Sequence, residues 1–416
     1  MTTCDDYLSA EDAAGYLGVS RATLYAYVSR GLVVSEPLQG SAGRSRRYPR
    51  RVLDQLKSNR ERRRDPTLSA HGALSSGAPV LDSALTLIED GRLWYRGLDA
   101  CELSRTATLE EVASLLWAGT TEHAGELFPR TASPAAGRSR RGSIADLLFA
   151  SLVEARSKPA VTISGATRPA LRAAARTIKQ LFDAAGATGP GMLAERLSRG
   201  WHARNADDLN AALILCADHG LSASSFTARC VASTDATVGN VLLAGLCALE
   251  GRRHGGVTNN HLDELVRDVE RDGVRRACRR TLSRDGWLPG FGQGSVLYLQ
   301  GDPRANELLA RIKLPETDAL ARICKFARHE LDARPSLEFA LTALARNAAL
   351  PNGAAFGLFA LGRSVGWIAH ALEAAAEGKL IRPRARYTGH PPEISGALAA
   401  GRPRDVANSI ASTPAR

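Results

Sequence analysis

The sequence predicts a mainly α-helical protein of more than one domain, and three observations carry that expectation. Its 416 residues exceed one average domain and suffice for two or three, with a sizeable buried core. Aromatics make up only 5% of the chain, and long runs of Val, Ile, Thr and Tyr, the residues that favour strands, are nearly absent. Long Ala/Leu-periodic stretches recur instead. In Ser336 to Leu350, Leu337, Leu341 and Leu344 follow helical spacing.

Two short helices open the chain within Tyr7 to Gly31. Ser9 is placed to cap the first, whose Ala13, Ala14 and Leu17 share a face, and Gly18-Val19 makes the turn. Ser20 caps a second helix bearing Arg21, Thr23, Tyr25 and Tyr27, which stops at Arg30-Gly31. This is a helix-turn-helix layout, in which the second helix can enter a major groove. A short strand, a turn rich in Gly, Ser and Arg, and another helix follow, so the module resembles a winged relative of the MerR family. Residues 44 to 64 carry ten Arg or Lys against two acids, within a net charge of +11, and such a block invites a polyanion. Duplex DNA is the expected partner, through Arg21, Thr23, Tyr25, Arg44, Arg46 and Arg47. A helical cap used for packing or assembly is the competing reading.

The expected boundaries are a helix-turn-helix domain at 1–65, a linker at 66–80 and a second domain at 81–416, with a small subdomain at roughly 255–348. Pro129 to Arg141, rich in Pro, Gly and Arg, reads as an exposed connection. Seven cysteines without a C-x-x-C pair indicate neither a disulfide framework nor a zinc cluster, and no metal site is expected. The longest apolar stretch, Val241 to Leu249, is far short of the roughly 20 residues that span a bilayer. The N-terminus carries acids in place of a basic leader, so a cytoplasmic location without membrane contact is expected.

Chemistry concentrates in segments that combine His, Arg or acids with glycines at helix ends. They are Ala217 to Arg229, Gly251 to Val257, Pro289 to Arg304 and Leu380 to Gly389. Glycines beside His254 and before Gln293 let a ligand approach the backbone, where free amides can hold a phosphate or thioester group. Each segment alone is weak, because a His flanked by Gly is more often a turn residue and an Arg-rich stretch more often a solvated surface.

In this order and spacing, however, the segments resemble the citrate synthase family. Ser83 to Gly97 looks like that family's opening strand pair and Thr108 to Gly119 like its next helix, while Gly362 to Leu372 followed by Arg382 to Gly389 is the most specific part. The resemblance implies a citrate-synthase-type two-domain helical fold behind the small winged helix-turn-helix domain, a homodimer, and condensation of oxaloacetate with acetyl-CoA or another short acyl-CoA. No cofactor is implied; acetyl-CoA enters as a substrate. It assigns Arg304, Arg363 and Arg382 to a carboxylate clamp, Arg382 reaching in from the other subunit, with His219 hydrogen-bonding the substrate and His254 holding the enolate oxygen. Guanidinium forks suit this task because they meet carboxylates with two parallel hydrogen bonds.

Two positions depart from the family pattern. Gln293 stands where the family has a catalytic His in Gly-Phe-Gly-His, and the spacing to Asp302-Pro-Arg304 is longer by about two residues. Glu338 stands in place of the catalytic Asp. Glu keeps the carboxylate on a longer arm, and a displacement of about 1 Å costs on the order of a hundredfold. Gln can polarise a ketone but cannot transfer a proton, a service worth about 10² to 10⁴. An altered catalytic pair beside a helix-turn-helix leaves a second reading open, a weakened enzyme that acts as a metabolite-sensing transcriptional regulator.

Overall fold

A computed structural model describes residues 7–29, 33, 35–37, 46–50, 52–53, 80–130, 142–155, 162–163, 165–251, 254–292, 297–298, 300–385 and 387–390, of which the side chains of 255–260 are not included. The chain forms two compact units, 1–84 and 85–416. Gln293, Arg44, most of the 66–80 linker and of the 129–141 connection, and the last residues fall outside the described set.

The first unit starts with β1 (Tyr7–Leu8), α1 (Ala10–Leu17) and α2 (Arg21–Ser29), followed by β2 (Glu36–Pro37) and β3 (Arg46–Pro49). Ser9 accepts the Asp12 amide, and Gly18 closes α1 in the left-handed region at φ 60°, a conformation open to glycine at little steric cost. Ser20 accepts the Thr23 amide and begins α2. β3 lies between β1 and β2 and is antiparallel to both. Ala13, Ala14, Leu17, Leu24, Val33, Tyr48 and Leu53 form the core. The expected helix, turn, helix and strand order is therefore present, while the Gly/Ser/Arg-rich turn at 38–45 lies outside the described residues.

The second unit opens with an antiparallel three-strand sheet, β4 (Thr86–Glu89), β5 (Arg92–Tyr95) and β6 (Leu98–Asp99). Helices follow: α3 (Ala100–Thr106), α4 (Leu109–Ala118), α5 (Ala124–Leu127), α6 (Ile144–Ala155), α7 (Arg168–Ala184), α8 (Leu193–Gly200), α9 (Ala206–Cys216), α10 (Ala223–Ala232) and α11 (Val238–Leu249). Next come α12 (Gly255–Asp272), α13 (Val274–Asp285), α14 (Pro303–Ala310), α15 (Ala319–Leu331), α16 (Leu337–Asn347) and α17 (Ala354–Glu377). Thr108 and Glu111 close a reciprocal capping box on α4, the helix that the Thr108 to Gly119 pattern announced. Leu337, Leu341 and Leu344 of α16 are all buried, as their spacing requires.

α17 is the axis of this unit and packs on α4, α6, α7, α9, α10, α11, α12 and α16. At 24 residues it is long and apolar enough to cross a membrane, a length that the 241–249 stretch did not anticipate; its apolar window is wholly buried within the protein. A hydrophobic all-round helix of this kind is a core helix when other helices surround it. Two glycines one turn apart fix its contact with α9. A Cβ at Gly362 would collide with the Leu213 carbonyl oxygen, and one at Gly366 with the Ala217 carbonyl oxygen. Their absence of side chains lets Arg363 lie against the loop that follows α9.

Candidate active site

That loop, 217–222, carries His219 and is tied at nearly every polar atom of Asp218. The Asp218 carboxylate accepts from the Thr86 hydroxyl at 2.5 Å and from the Gly220 amide at 3.0 Å, and the Asp218 amide donates to the Tyr95 hydroxyl at 3.2 Å. Tyr95 in turn donates toward the Ile214 and Asp218 carbonyls, at 3.0 and 3.1 Å. The other carboxylate oxygen stands 3.3 Å from His370 Nε2, both side chains being fully buried. Burial by itself would raise the Asp218 carboxyl, but His370, Arg363 and Thr86 outweigh it and hold it below the ordinary carboxylate range. The residue beside His219 is thereby an anion locked in place.

His219 itself is half-buried, with Nε2 2.9 Å from the Tyr298 hydroxyl. Burial first, and then the charges of Arg304 and Arg363, push its pKa well below the ordinary value. It is a neutral imidazole, able to donate or accept one hydrogen bond on each ring nitrogen.

Arg363 is 1% exposed and sits on α17 at the Gly362-Arg363 contact. Its Nε donates to the Cys216 carbonyl at 2.7 Å, Nη1 to Ser222 Oγ at 3.3 Å, and the guanidinium lies 5.0 Å from the centre of the Phe359 ring. Among the described residues no carboxylate lies within ion-pair distance of it. Burial lowers its pKa, only partly offset by Asp218. A buried cation without an anion is costly, and a carboxylate-bearing ligand is the natural complement.

Arg304 is the second residue of α14, two positions after the cap Asp302. Nε and Nη2 grip Asp302 side-on at 3.0 and 2.7 Å, which leaves the outer edge of the fork open. Burial opposes its charge, but Asp302 more than compensates and raises its pKa, and Glu338 adds to the effect. Glu338 lies in the first turn of α16, close enough to act on both Arg304 and Cys216. Its position is set by the glycine loop. The Gly290 carbonyl accepts the Ser336 amide at 2.8 Å, Phe291 bridges to Pro335, and the Phe291 and Phe339 rings meet edge-on at 5.0 Å.

His254 precedes α12. Its Nε2 accepts the Ser224 amide at 3.4 Å, so the proton of the neutral ring is on Nδ1, and the ring stands edge-on to Phe359 at 6.4 Å between centroids. Burial and then Arg363 lower its pKa to about 4.

The structure therefore links His219, His254, Arg304, Arg363 and Glu338 through a chain of electrostatic interactions, from five separate stretches of chain. Arg382 is not among them: it is exposed beyond α17. Asp218, Tyr298, Arg229 and His370 were not singled out from the sequence. His370 lies seven residues after Arg363, two turns along one helix face, a spacing that placed it near the site. From His370 Nδ1 the chain of contacts continues to Arg229 at 3.5 Å, which is fully buried and pairs with Glu373 at 2.6 Å and with Glu377.

In the first unit, Arg21 and Tyr25 are exposed on α2 and joined at 3.3 Å, while the Thr23 hydroxyl is 2.9 Å from Ser20. Arg46 and Arg47 are engaged locally. Arg46 bonds Ser35 through Nε and Nη2 at 2.7 and 2.9 Å; Arg47 pairs with Glu36 at 2.9 Å and lies over the Tyr7 ring at 4.1 Å.

The site is thus a helical body whose central helix presents a buried arginine to a histidine loop, beside a second arginine and a carboxylate. The sequence profile of the citrate synthase C-terminal domain matches residues 166–384, and a helix-turn-helix domain profile matches 7–61. The chain belongs to the citrate synthase family. A provisionally named citrate synthase 2 of Mycobacterium tuberculosis is 35% identical over 200 residues, covering 45% of this chain and 53% of that protein. The chain thus spans about half the length of such relatives. Citrate synthase of Haloferax volcanii is 28% identical over 366 residues, covering 75% of this chain and 94% of that one. In fold it is similar to the Thermoplasma acidophilum citrate synthase solved with carboxymethyl coenzyme A and oxaloacetate, at TM-score 0.63 and 22% identity over 78% of this chain and 97% of that one.

Proposed function

We propose that the protein condenses oxaloacetate with acetyl-CoA or another short acyl-CoA, releasing a citrate-type product and CoA. The observation that carries this reading is Arg363, a buried guanidinium with no carboxylate partner among the described residues, aimed at the loop of a neutral histidine. One oxaloacetate carboxylate completes Arg363 and the other meets the open edge of Arg304, with His219 donating a further hydrogen bond. Arg382 joins from a second copy of the chain in a homodimer, which accords with its exposure beyond α17.

Glu338 takes a proton from the acyl α-carbon, and His254 Nδ1–H donates to the thioester oxygen on which charge develops. The pairing of His254 Nε2 with the Ser224 amide supports that assignment, because it fixes which nitrogen bears the proton. The nucleophilic carbon then attacks the ketone, polarised by the Gln293 amide, and the alkoxide that forms takes a proton from water, the proton on Glu338 returning to solvent. Water cleaves the thioester to give the product carboxylate and CoA. A helix-turn-helix unit with an exposed Arg21–Tyr25 pair supports a second role, duplex DNA binding that responds to the same metabolites.

The test is CoA release from purified protein given oxaloacetate with acetyl-CoA or propionyl-CoA. Release is expected, and Gln293→His with Glu338→Asp is expected to increase it. No release by the natural protein, with release restored in the double variant, would leave metabolite-dependent DNA binding as the function.

A further inference from the structure

Tyr298 lies between the glycine loop and α14, and a turn closed by the Gly301 amide on the Tyr298 carbonyl, at 3.0 Å, leads from it to the cap Asp302. Its side chain is 1% exposed, with the Arg304 guanidinium 5.9 Å from the ring centre. The hydroxyl meets His219 Nε2 at 2.9 Å, and the two rings are tilted at 51° with centroids 5.7 Å apart. A buried hydroxyl carries one proton that needs an acceptor. Among the described residues, His219 Nε2 is the only hydrogen-bond partner of the Tyr298 hydroxyl.

His219 is the complementary half. Arg304 and Arg363 both act on it, and two neighbouring cations disfavour a third charge, so the ring carries a single proton. Which nitrogen holds that proton decides what the ring offers. If Nε2 held it, the Tyr298 hydroxyl would accept, its own proton would lack an acceptor among the described residues, and Nδ1 would present a bare lone pair to an anionic ligand. If the Tyr298 hydroxyl donates to Nε2, both groups are satisfied and Nδ1–H is left as a donor. Burial pushes the Tyr298 hydroxyl up to about 12, so it stays protonated. Nδ1 has no hydrogen-bond partner among the described residues, and the ring is half-buried where Tyr298 is buried. His254 is set in the same way by another donor, the Ser224 amide on its Nε2.

We propose that Tyr298 is a positioning residue for His219: its hydroxyl donates to Nε2, holds the ring proton on Nδ1, and so makes His219 a donor to an acceptor oxygen of the substrate. The identity of that substrate, a dicarboxylate with a ketone, rests on the oxaloacetate reading above. The Arg304 and Arg363 guanidinium groups draw the anion, and an Nδ1–H beside them adds a donor where an unprotonated Nδ1 would repel it.

The test is a nitrogen NMR spectrum of the histidine rings in the full-length protein, with His219→Gln to identify the His219 signals, beside calorimetric titration with oxaloacetate. The natural protein is expected to show His219 in the Nδ1–H form alone. Tyr298→Phe keeps the ring and loses the donor; the Nε2–H form is expected to appear and oxaloacetate to bind about tenfold more weakly, with little change in melting. An Nε2–H form in the natural protein, an unchanged Nδ1–H form in Tyr298→Phe, or equal oxaloacetate affinity in the two proteins would each overturn the proposal. The spectrum of the natural protein needs no variant, so it decides the tautomer even where Tyr298→Phe does not fold. A natural protein that binds no oxaloacetate would overturn the substrate reading alone, because the tautomer is read without ligand.

Discussion

The two units use arginine under opposite physical conditions. In the first, Arg21 and Arg46 sit at the surface and Arg47 is half-buried, and each is held by a hydroxyl, a ring or one acid, where water and salt screen the charge. In the second, Arg196, Arg229, Arg304 and Arg363 are at most 6% exposed. There each guanidinium must be matched group by group. Arg229 has Glu373 and Glu377 and Arg304 has Asp302, while Arg363 has a carbonyl and a hydroxyl. The contrast singles out Arg363 as the one of these four without a carboxylate partner among the described residues, and it is there that a substrate carboxylate is proposed to bind.

The sharpest way to break that contrast is Arg363→Leu. Removing one partner of a buried charged pair costs about 2–5 kcal/mol, so oxaloacetate affinity by calorimetry is expected to fall by roughly 30-fold or more. Arg363→Lys keeps the charge but loses the fork and is expected to recover only part of the loss. Unchanged affinity in both would make Arg363 a purely structural group.

Next in size is the anion beneath His219. Asp218→Asn leaves the shape but removes the charge that faces His370 and Arg363, and is expected to destabilise the protein by about 1–3 kcal/mol, read as a lowered Tm. His370→Phe should lower Tm by a similar amount while leaving the helix intact. Equal Tm values in all three proteins would show that the buried chain of contacts contributes nothing to stability.

pH sharpens the comparison further. His254 is lowered from its ordinary 6.5 to about 4, so between those values the unfolded chain binds the extra proton and the folded one does not. Its contribution to stability is full above pH 6.5 and is lost as pH falls toward 4. Tm is expected to drop through that window, and less so in His254→Gln. The surface arginines of the first unit predict the smallest effect. Arg21→Ala should weaken duplex binding similarly for all sequences and reduce the slope of log affinity against log salt by about 1, measured by fluorescence anisotropy.

Much of this was legible in the residues because it was local. The family resemblance of Thr108 to Gly119 pointed to α4, while Ser9, Gly18 and Ser20 announced the two N-terminal helices and leucine spacing announced α16. Each depends on atoms within about one turn of chain. The candidate site residues were legible as types within motifs, since His219, His254, Arg304, Arg363 and Glu338 all stand beside glycines, serines or caps. Their supports were not. Tyr298 reaches His219 across 79 residues, Thr86 reaches Asp218 across 132, and Trp117 donates to the Val365 carbonyl across 248.

The sequence by itself therefore determined the helical class, the helix-turn-helix order and the residue types that a polyanion needs, because capping, periodicity and charge are properties of short stretches. Only the tertiary structure decided which of those charges stay unmatched. Arg363 became a buried cation because Gly362 and Gly366 let α17 approach the Ala217 to Ser222 loop. Burial sets the cost of an absent partner, and burial is a property of the packed molecule.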